Sequence, residues 1–133
     1  MRFMCIIKGP ENQGRPPQEL FAAIDRMGRE GAQKGVIVGM GGLGPTAKGA
    51  RARLKNGKIT VTDGPFSEAK EALGGFGIYE VPSLEDAVEW TRRFLQLHVD
   101  HWPSFEGEVE IRPLMQAPPG GESLRAAGVD IGL

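Results

Sequence analysis

The feature that most constrains this chain is the run Phe3-Met4-Cys5-Ile6-Ile7 close to the N-terminus. As a strand over Arg2 to Lys8 it sends Phe3, Cys5 and Ile7 to one side and Met4 and Ile6 to the other. Both sides are apolar, so the strand needs cover on both faces. Two helices later in the chain supply cover for one of them. Pro16-Pro17 opens the first, from about Gln18 to Gln33, with Leu20, Phe21, Ile24 and Met27 on one apolar stripe. Gly31 and Gly35 act as stop signals. Ser83, with Asp86 three residues later, caps a second helix that ends near His98. Its inner stripe is Leu84, Ala87, Val88, Thr91, Phe94 and Leu95, and Trp90 falls off it.

The remaining segments read as strands. Val36 to Met40 is short and leads into a glycine-rich turn. Gly49 to Lys55 and Lys58 to Thr62 flank Asn56-Gly57, the residue pair that supplies the positive φ angles of a type I′ hairpin turn. Asp63 to Phe66 is a turn, Ser67 to Ala72 a short helical segment, and Gly74 to Val81 a strand stopped by Pro82. Val109 and Ile111 alternate with Glu108, Glu110 and Arg112 in a last strand. With the hairpin set aside, the order is βαββαβ, the ferredoxin-like α+β unit. It occupies residues 1–115, and residues 116–133 form a C-terminal arm. Two helices cover one face of such a sheet. A second copy is the simplest cover for the other, so a homodimer is expected, its sheets face to face around a cleft.

Composition narrows the function classes. Sixteen Lys and Arg against 17 Asp and Glu give a net charge of -1, which argues against nucleic acid as a partner. The lone Cys5 excludes an internal disulfide and, in its apolar run, reads as a small buried hydrophobe. No stretch reaches membrane-spanning length, and the cytoplasm is the expected location.

Asp63, a carboxylate at a strand end, is the first candidate for a general base, although Asp-Gly-Pro is also good turn chemistry. His98 and His101 share a helix face at i,i+3 and could relay protons. Two histidines do not complete a zinc site, so no metal and no cofactor is read. Arg112 could anchor an anionic ligand bidentately, or pair with Glu108 or Glu110. Arg51 and Arg53 read as a solvated hairpin face. Tyr79 could reach a ligand, though strand tyrosines commonly serve packing. Neither Ser67 nor Ser104 sits in a nucleophile elbow. Gly39-Met40-Gly41-Gly42-Leu43-Gly44 matches a dinucleotide fingerprint literally, but no amphipathic helix comes after it, and nucleotide binding is rejected.

Thr62-Asp63-Gly64-Pro65-Phe66-Ser67-Glu68-Ala69-Lys70-Glu71 closely resembles the signature of YCII-related proteins of the Asp-Gly-Pro-Phe type. Gly49 to Arg53, Gly74 to Phe76, His98 to Pro103 and Glu110 to Leu114 extend the resemblance to about Met115. It implies a ferredoxin-like subunit in a dimeric α+β barrel. It also implies a superfamily that includes cofactor-free oxygenases, lactone isomerases and dehalogenating enzymes, with a YCII-like branch that uses a His–Asp pair for hydrolysis. That branch carries a His after a proline at the start of the first helix, and here Gln18 comes after Pro17. The resemblance also implies links to sigma-factor systems. Two readings result. The first is a small, acidic organic ligand held in a dimer cleft, with Asp63 and a histidine for acid–base chemistry and Arg112 and Tyr79 for binding. The second is a non-catalytic sensing or regulatory module, with Trp90, an exposed Trp102 and the C-terminal arm as its partner surface.

Overall fold

The computed structural model describes residues 1–66, 72–115 and 126–128. Among the described residues, six strands and two α-helices succeed one another as β1 (Arg2–Gly9), α1 (Gln18–Gln33), β2 (Ile37–Gly42), β3 (Ala50–Lys55), β4 (Lys58–Asp63), β5 (Ala72–Glu80), α2 (Leu84–His101) and β6 (Glu108–Pro113). A 3₁₀ turn at Thr46–Lys48 precedes β3. The four-stranded sheet has the order β2-β5-β1-β6 and the hairpin β3-β4 forms its own two-stranded sheet. All pairings in the larger sheet are antiparallel. This is the ferredoxin-like α+β fold with an inserted hairpin.

The helices form where the sequence places their signals. The Ser83 hydroxyl accepts from the Asp86 amide at 3.2 Å and donates to the Asp86 carboxylate at 2.7 Å, so the N-cap is made and its hydroxyl is held by the same residue. Gly35, at φ +70°, closes the C-terminus of α1 while the Val36 amide donates to the Gly31 carbonyl at 2.8 Å. That bond keeps Val36 in the cap, which is why β2 starts one residue later than expected. β2 also runs on to Gly42, because Gly41 and Gly42 stay in register with Phe76 and Gly75. The literal fingerprint Gly39 to Gly44 is therefore mostly strand, and the short 3₁₀ turn comes next. α2 extends past His98 to His101, since the stop comes from Trp102 and Pro103.

Cross-strand register separates the two faces of the sheet. Phe3, Cys5 and Ile7 stand opposite Tyr79, Gly77 and Gly75 on β5 and Pro113, Ile111 and Val109 on β6. This is the helix-covered face, and its core joins Phe3, Cys5, Ile37, Tyr79, Val81 and Ala87. Met4 and Ile6, opposite Ile78 and Phe76, occupy the other face, which no helix covers. The two helices are tied to each other by Arg93 and Glu30 at 2.6 Å. That hydrogen-bonded pair, helped by Lys34, pulls the Glu30 carboxyl down to about 2.

Four expectations need correction. Trp90 packs against the core cluster, its ring 6.3 Å from Tyr79, with the Arg93 guanidinium 4.7 Å over it. Although off the apolar stripe, it is partly buried against the core. Leu84 and Phe21, assigned to inner stripes, are 47% and 56% exposed. Leu84 is the first residue of its helix, beyond the reach of the sheet, and Phe21 sits at the mouth of a cavity between sheet and helices. Ala72 belongs to β5, paired with Gly9; the helical segment expected before it falls on residues 67–71, outside the described residues. Most of the C-terminal arm lies outside them as well.

Candidate functional site

β5 carries Gly75 and Gly77 where a strand normally presents side chains to the helices. The sheet floor is therefore hollow between β1 and β2. Above it, α1 contributes Leu20, Phe21 and Ile24, and α2 contributes Thr91, Phe94 and His98. The result is a cavity of about 510 Å³, within the range of small-molecule sites. Two loops shape its mouth. Gln13 on the β1–α1 loop clamps Glu106 through both backbone groups, donating to its carbonyl at 2.8 Å and accepting from its amide at 2.7 Å. Glu11 accepts from the Thr46 amide and hydroxyl at 2.7 and 2.9 Å, which fixes the turn after Pro45.

Most polar groups around this cavity already have partners. Thr91 donates its hydroxyl proton to the Ala87 carbonyl at 2.9 Å, so the Cys5 thiol, 3.5 Å away, is the donor to Thr91. Burial pushes that thiol above its ordinary pKa, and it stays neutral. Lys8 is held by Glu110 at 3.0 Å and Glu108 at 3.4 Å.

Beside the indole N–H of Trp102, two side-chain polar atoms are left over. His98 is buried on α2 and its ring Nδ1 donates to the Phe94 carbonyl at 3.0 Å. A carbonyl can only accept, so Nδ1 carries the proton and Nε2 is an acceptor. Burial holds the imidazole below its ordinary pKa of 6.5, so it is neutral at pH 7. The Tyr79 hydroxyl is the second; burial pushes its pKa to about 12, and it remains a neutral phenol. Among the described residues neither Nε2 nor this hydroxyl meets a protein partner. No buried side-chain nitrogen or oxygen lacks a partner there, so both atoms keep an accessible surface, and both residues line the cavity.

The wall beside His98 is aromatic. Its ring lies 4.7 Å from Phe94, 4.6 Å from Phe105 and 6.4 Å from Trp102. Trp102, expected to be exposed, is half-buried in this cluster, 5.1 Å from Phe105. The chain turns back at Trp102 with the Phe105 amide bonded to its carbonyl at 2.9 Å, which folds the indole onto the helix end.

The structure brings together two of the residues singled out from sequence, Tyr79 and His98. Asp63, His101 and Arg112 do not line the cavity. Asp63 ends β4, exposed and paired with Ala50 across the hairpin. His101 is the last residue of α2, where a histidine complements the helix dipole. Arg112 points to the helix-free face, opposite Met4, with its guanidinium 3.8 Å from Glu110. No three of His, Cys, Asp or Glu among the described residues are grouped to hold a metal ion. The signature turn itself is structural in its contacts. A Cβ on Gly64 would overlap the Thr46 carbonyl, the Gly64 amide donates to the Gly49 carbonyl at 2.9 Å, and Phe66 lies 4.1 Å beneath Arg51. Sequence reasoning overlooked the role of Gly75, Gly77, Phe94 and Phe105. The available signal was the pair of glycines alternating with Phe76 in an otherwise regular strand.

These elements define a ferredoxin-like α+β subunit with a ligand-sized hollow between its sheet and its helices. The YCII-related domain matches residues 1–97 of the chain. An uncharacterised protein of Rhizobium meliloti (strain 1021) is 35% identical over 103 residues, covering 77% of this chain and 79% of the relative. The chain belongs to the YCII-related family. Among the described residues, no helix is long and apolar enough to cross a membrane.

Proposed function

We propose that this YCII-related protein binds a small, uncharged, largely aromatic or apolar molecule that carries a hydroxyl or N–H group. The observation that carries this reading is the cavity of about 510 Å³ whose leftover side-chain polar atoms include the Nε2 of His98 and the hydroxyl of Tyr79. An accepting Nε2 selects a ligand that donates. The rings of Phe94, Trp102 and Phe105 offer edges and faces to an aromatic body. Lys8, the cation among the lining residues, is already neutralised by two glutamates. That speaks for a neutral ligand over the acidic one expected from sequence. The site lies within one chain.

Proton transfer is a second reading, favoured by one observation. A neutral imidazole whose Nδ1–H is fixed by a carbonyl has its Nε2 lone pair ready to accept a proton. In that case His98 is the base and Tyr79 the hydrogen-bond donor to the developing anion.

The test is a thermal-shift and ligand-observed NMR screen of hydroxylated aromatics, phenols and neutral heterocycles, run on the wild type and on His98→Phe. A binder that stabilises the wild type and loses at least ~10-fold in affinity on His98→Phe supports the site. A binder whose affinity is the same in both proteins removes His98 from it. Consumption of a bound compound, lost in His98→Phe, supports the second reading.

A further inference from the structure

We infer that the basic face of the β3–β4 hairpin is a docking surface for an acidic, extended segment of another protein. The inference is independent of what fills the cavity.

Charge is segregated along this chain. Residues 31–62 hold six of its 16 basic residues, Lys34, Lys48, Arg51, Arg53, Lys55 and Lys58, and none of its 17 acidic ones. The rest of the chain is left with ten basic and 17 acidic residues. A net charge of -1 therefore hides a cationic segment on an acidic body.

The hairpin sorts its charges further. Its register sets Arg51, Arg53 and Lys55 opposite Thr62, Thr60 and Lys58. Side chains alternate across a strand, so these six share one face, while Ala52, Leu54, Ile59 and Val61 take the other. Four cations and two hydroxyls stand together with no carboxylate between them. Asp63, opposite Ala50, belongs to the other face.

A solvated protein surface normally intersperses both signs, and the body of this protein does so. There Arg2, Lys8, Arg29, Lys34, Arg92, Arg93 and Arg112 each pair with a carboxylate. On the hairpin, Arg53, Lys55 and Lys58 are exposed and pair with no carboxylate among the described residues. Lys55 and Lys58 even stand directly opposite each other, an arrangement that costs the ribbon stability until an anion lies between them. At the base of the face Phe66 lies 4.1 Å from the Arg51 guanidinium and holds it in place.

The spacing specifies the partner. Residues two apart on a strand recur about every 6.6–6.8 Å. An extended protein segment with acidic residues at alternate positions presents its carboxylates at the same repeat. Arginine takes a carboxylate bidentately, and the threonine hydroxyls can donate to its remaining lone pairs. The six-residue strands span roughly 20 Å, which engages about six residues of the partner. Nucleic acid suits the face less well. A long polyanion is repelled by the acidic body, where Glu85, Asp86 and Glu89 are exposed on α2. The face offers no Asn or Gln to read base edges, and the Phe66 ring is capped by Arg51 rather than open to stack a base.

Fluorescence anisotropy at about 0.1 M salt tests this with three labelled probes. They are a peptide of about eight residues alternating Glu and Ser, the same peptide with Gln for Glu, and a single-stranded RNA of about eight nucleotides. The wild type is expected to bind the Glu peptide at least ~10-fold more tightly than the Gln peptide, and Arg53→Glu/Lys55→Glu to lose at least ~10-fold in affinity for it. Both positions are exposed, and circular dichroism checks that the hairpin variant is folded. Arg15→Glu/Arg26→Glu makes the same change of net charge on exposed positions of the body and is expected to lose less than ~2-fold. No preference for the Glu peptide overturns the inference. Equal losses in the two double variants overturn it too, since the peptide then senses net charge and no particular face. RNA bound more tightly than the Glu peptide, and lost in the hairpin variant, gives the face to nucleic acid and overturns an acidic protein segment as its partner.

Discussion

The helix-covered face of the sheet and the β3–β4 hairpin start from the same pattern and end differently. Both send successive residues to opposite faces with period two. On β1 the apolar set Phe3 and Cys5 is buried beneath two helices. On the hairpin the set Leu54, Ile59 and Val61 is covered by nothing in the described chain. Alternation fixes which residues share a face. Whether that face becomes core depends on what the chain brings over it, which is a matter of topology. The contrast sharpens on β5, where Gly75 and Gly77 interrupt a face that helices do cover. There the missing side chain of Gly77 leaves room in place of core, and that of Gly75 admits the Gly41 carbonyl, 2.7 Å from where a Cβ would stand.

The largest effect is expected where the hairpin joins the body. Gly64 lies against the Thr46 carbonyl, and backbone cannot move aside as a flexible side chain can. Gly64→Ala should cost about 2–3 kcal/mol and lower the melting temperature by roughly 5–10 °C. A melting temperature equal to wild type would mean that the hairpin base is looser than its contacts indicate, and that hairpin and body are separate in stability too.

Gly77 tests the opposite case. The nearest atoms a Cβ there would meet are those of the Tyr79 ring and hydroxyl, at 3.8–3.9 Å, an ordinary contact. Gly77→Val should therefore fold, with stability within ~1 kcal/mol of wild type since valine suits a strand. It should lower ligand affinity at least ~10-fold, because the added side chain occupies space the ligand uses. Isothermal calorimetry with any binder from the screen reads this directly. Unchanged affinity would place the ligand elsewhere.

His98 separates the faces by pH. Its folded pKa lies below the ordinary 6.5 because burial disfavours the cation. The unfolded chain then binds the proton more readily than the native one. Stability from this residue is complete above about 6.5 and declines as pH falls from there toward the depressed folded value. The melting temperature of wild type should fall between pH 7 and pH 5 more steeply than that of His98→Phe. Equal slopes would show that His98 is solvated in both states, and the cavity would lose its main acceptor.

Much of the fold was legible. Ser83 with Asp86, Asn56-Gly57 and the apolar periodicity of α1 and α2 are local signals, and local chemistry decides them. Asn56 and Gly57 adopt φ of 51° and 74° as the hairpin turn requires. The site was less legible because it is made at a distance. Tyr79 and His98 were visible as residue types, but the partner that fixes His98, the Phe94 carbonyl, is backbone. The cavity exists because two glycines stand opposite Cys5 and Ile7, a relation set by strand register. Trp90 shows the same limit. A helical wheel places it off the stripe, and only the position of Tyr79 on the neighbouring strand shows that it is half in the core. Asp63 drew attention because it opens a distinctive turn, yet the distinctive residue there is Gly64, whose missing side chain admits the Thr46 carbonyl.

The smallest expected effect falls on Asp63 itself, and it decides between the two regions as the seat of chemistry. Asp63 is exposed at the end of β4 and does not line the cavity. Asp63→Asn keeps the shape and hydrogen-bonding reach of the side chain while removing its charge. Stability should stay within ~0.5 kcal/mol, and ligand affinity and any turnover should match wild type. A loss of turnover with the fold and the affinity intact would mean that the hairpin carries a reacting group. It would then have to reach a substrate from outside the cavity of its own chain.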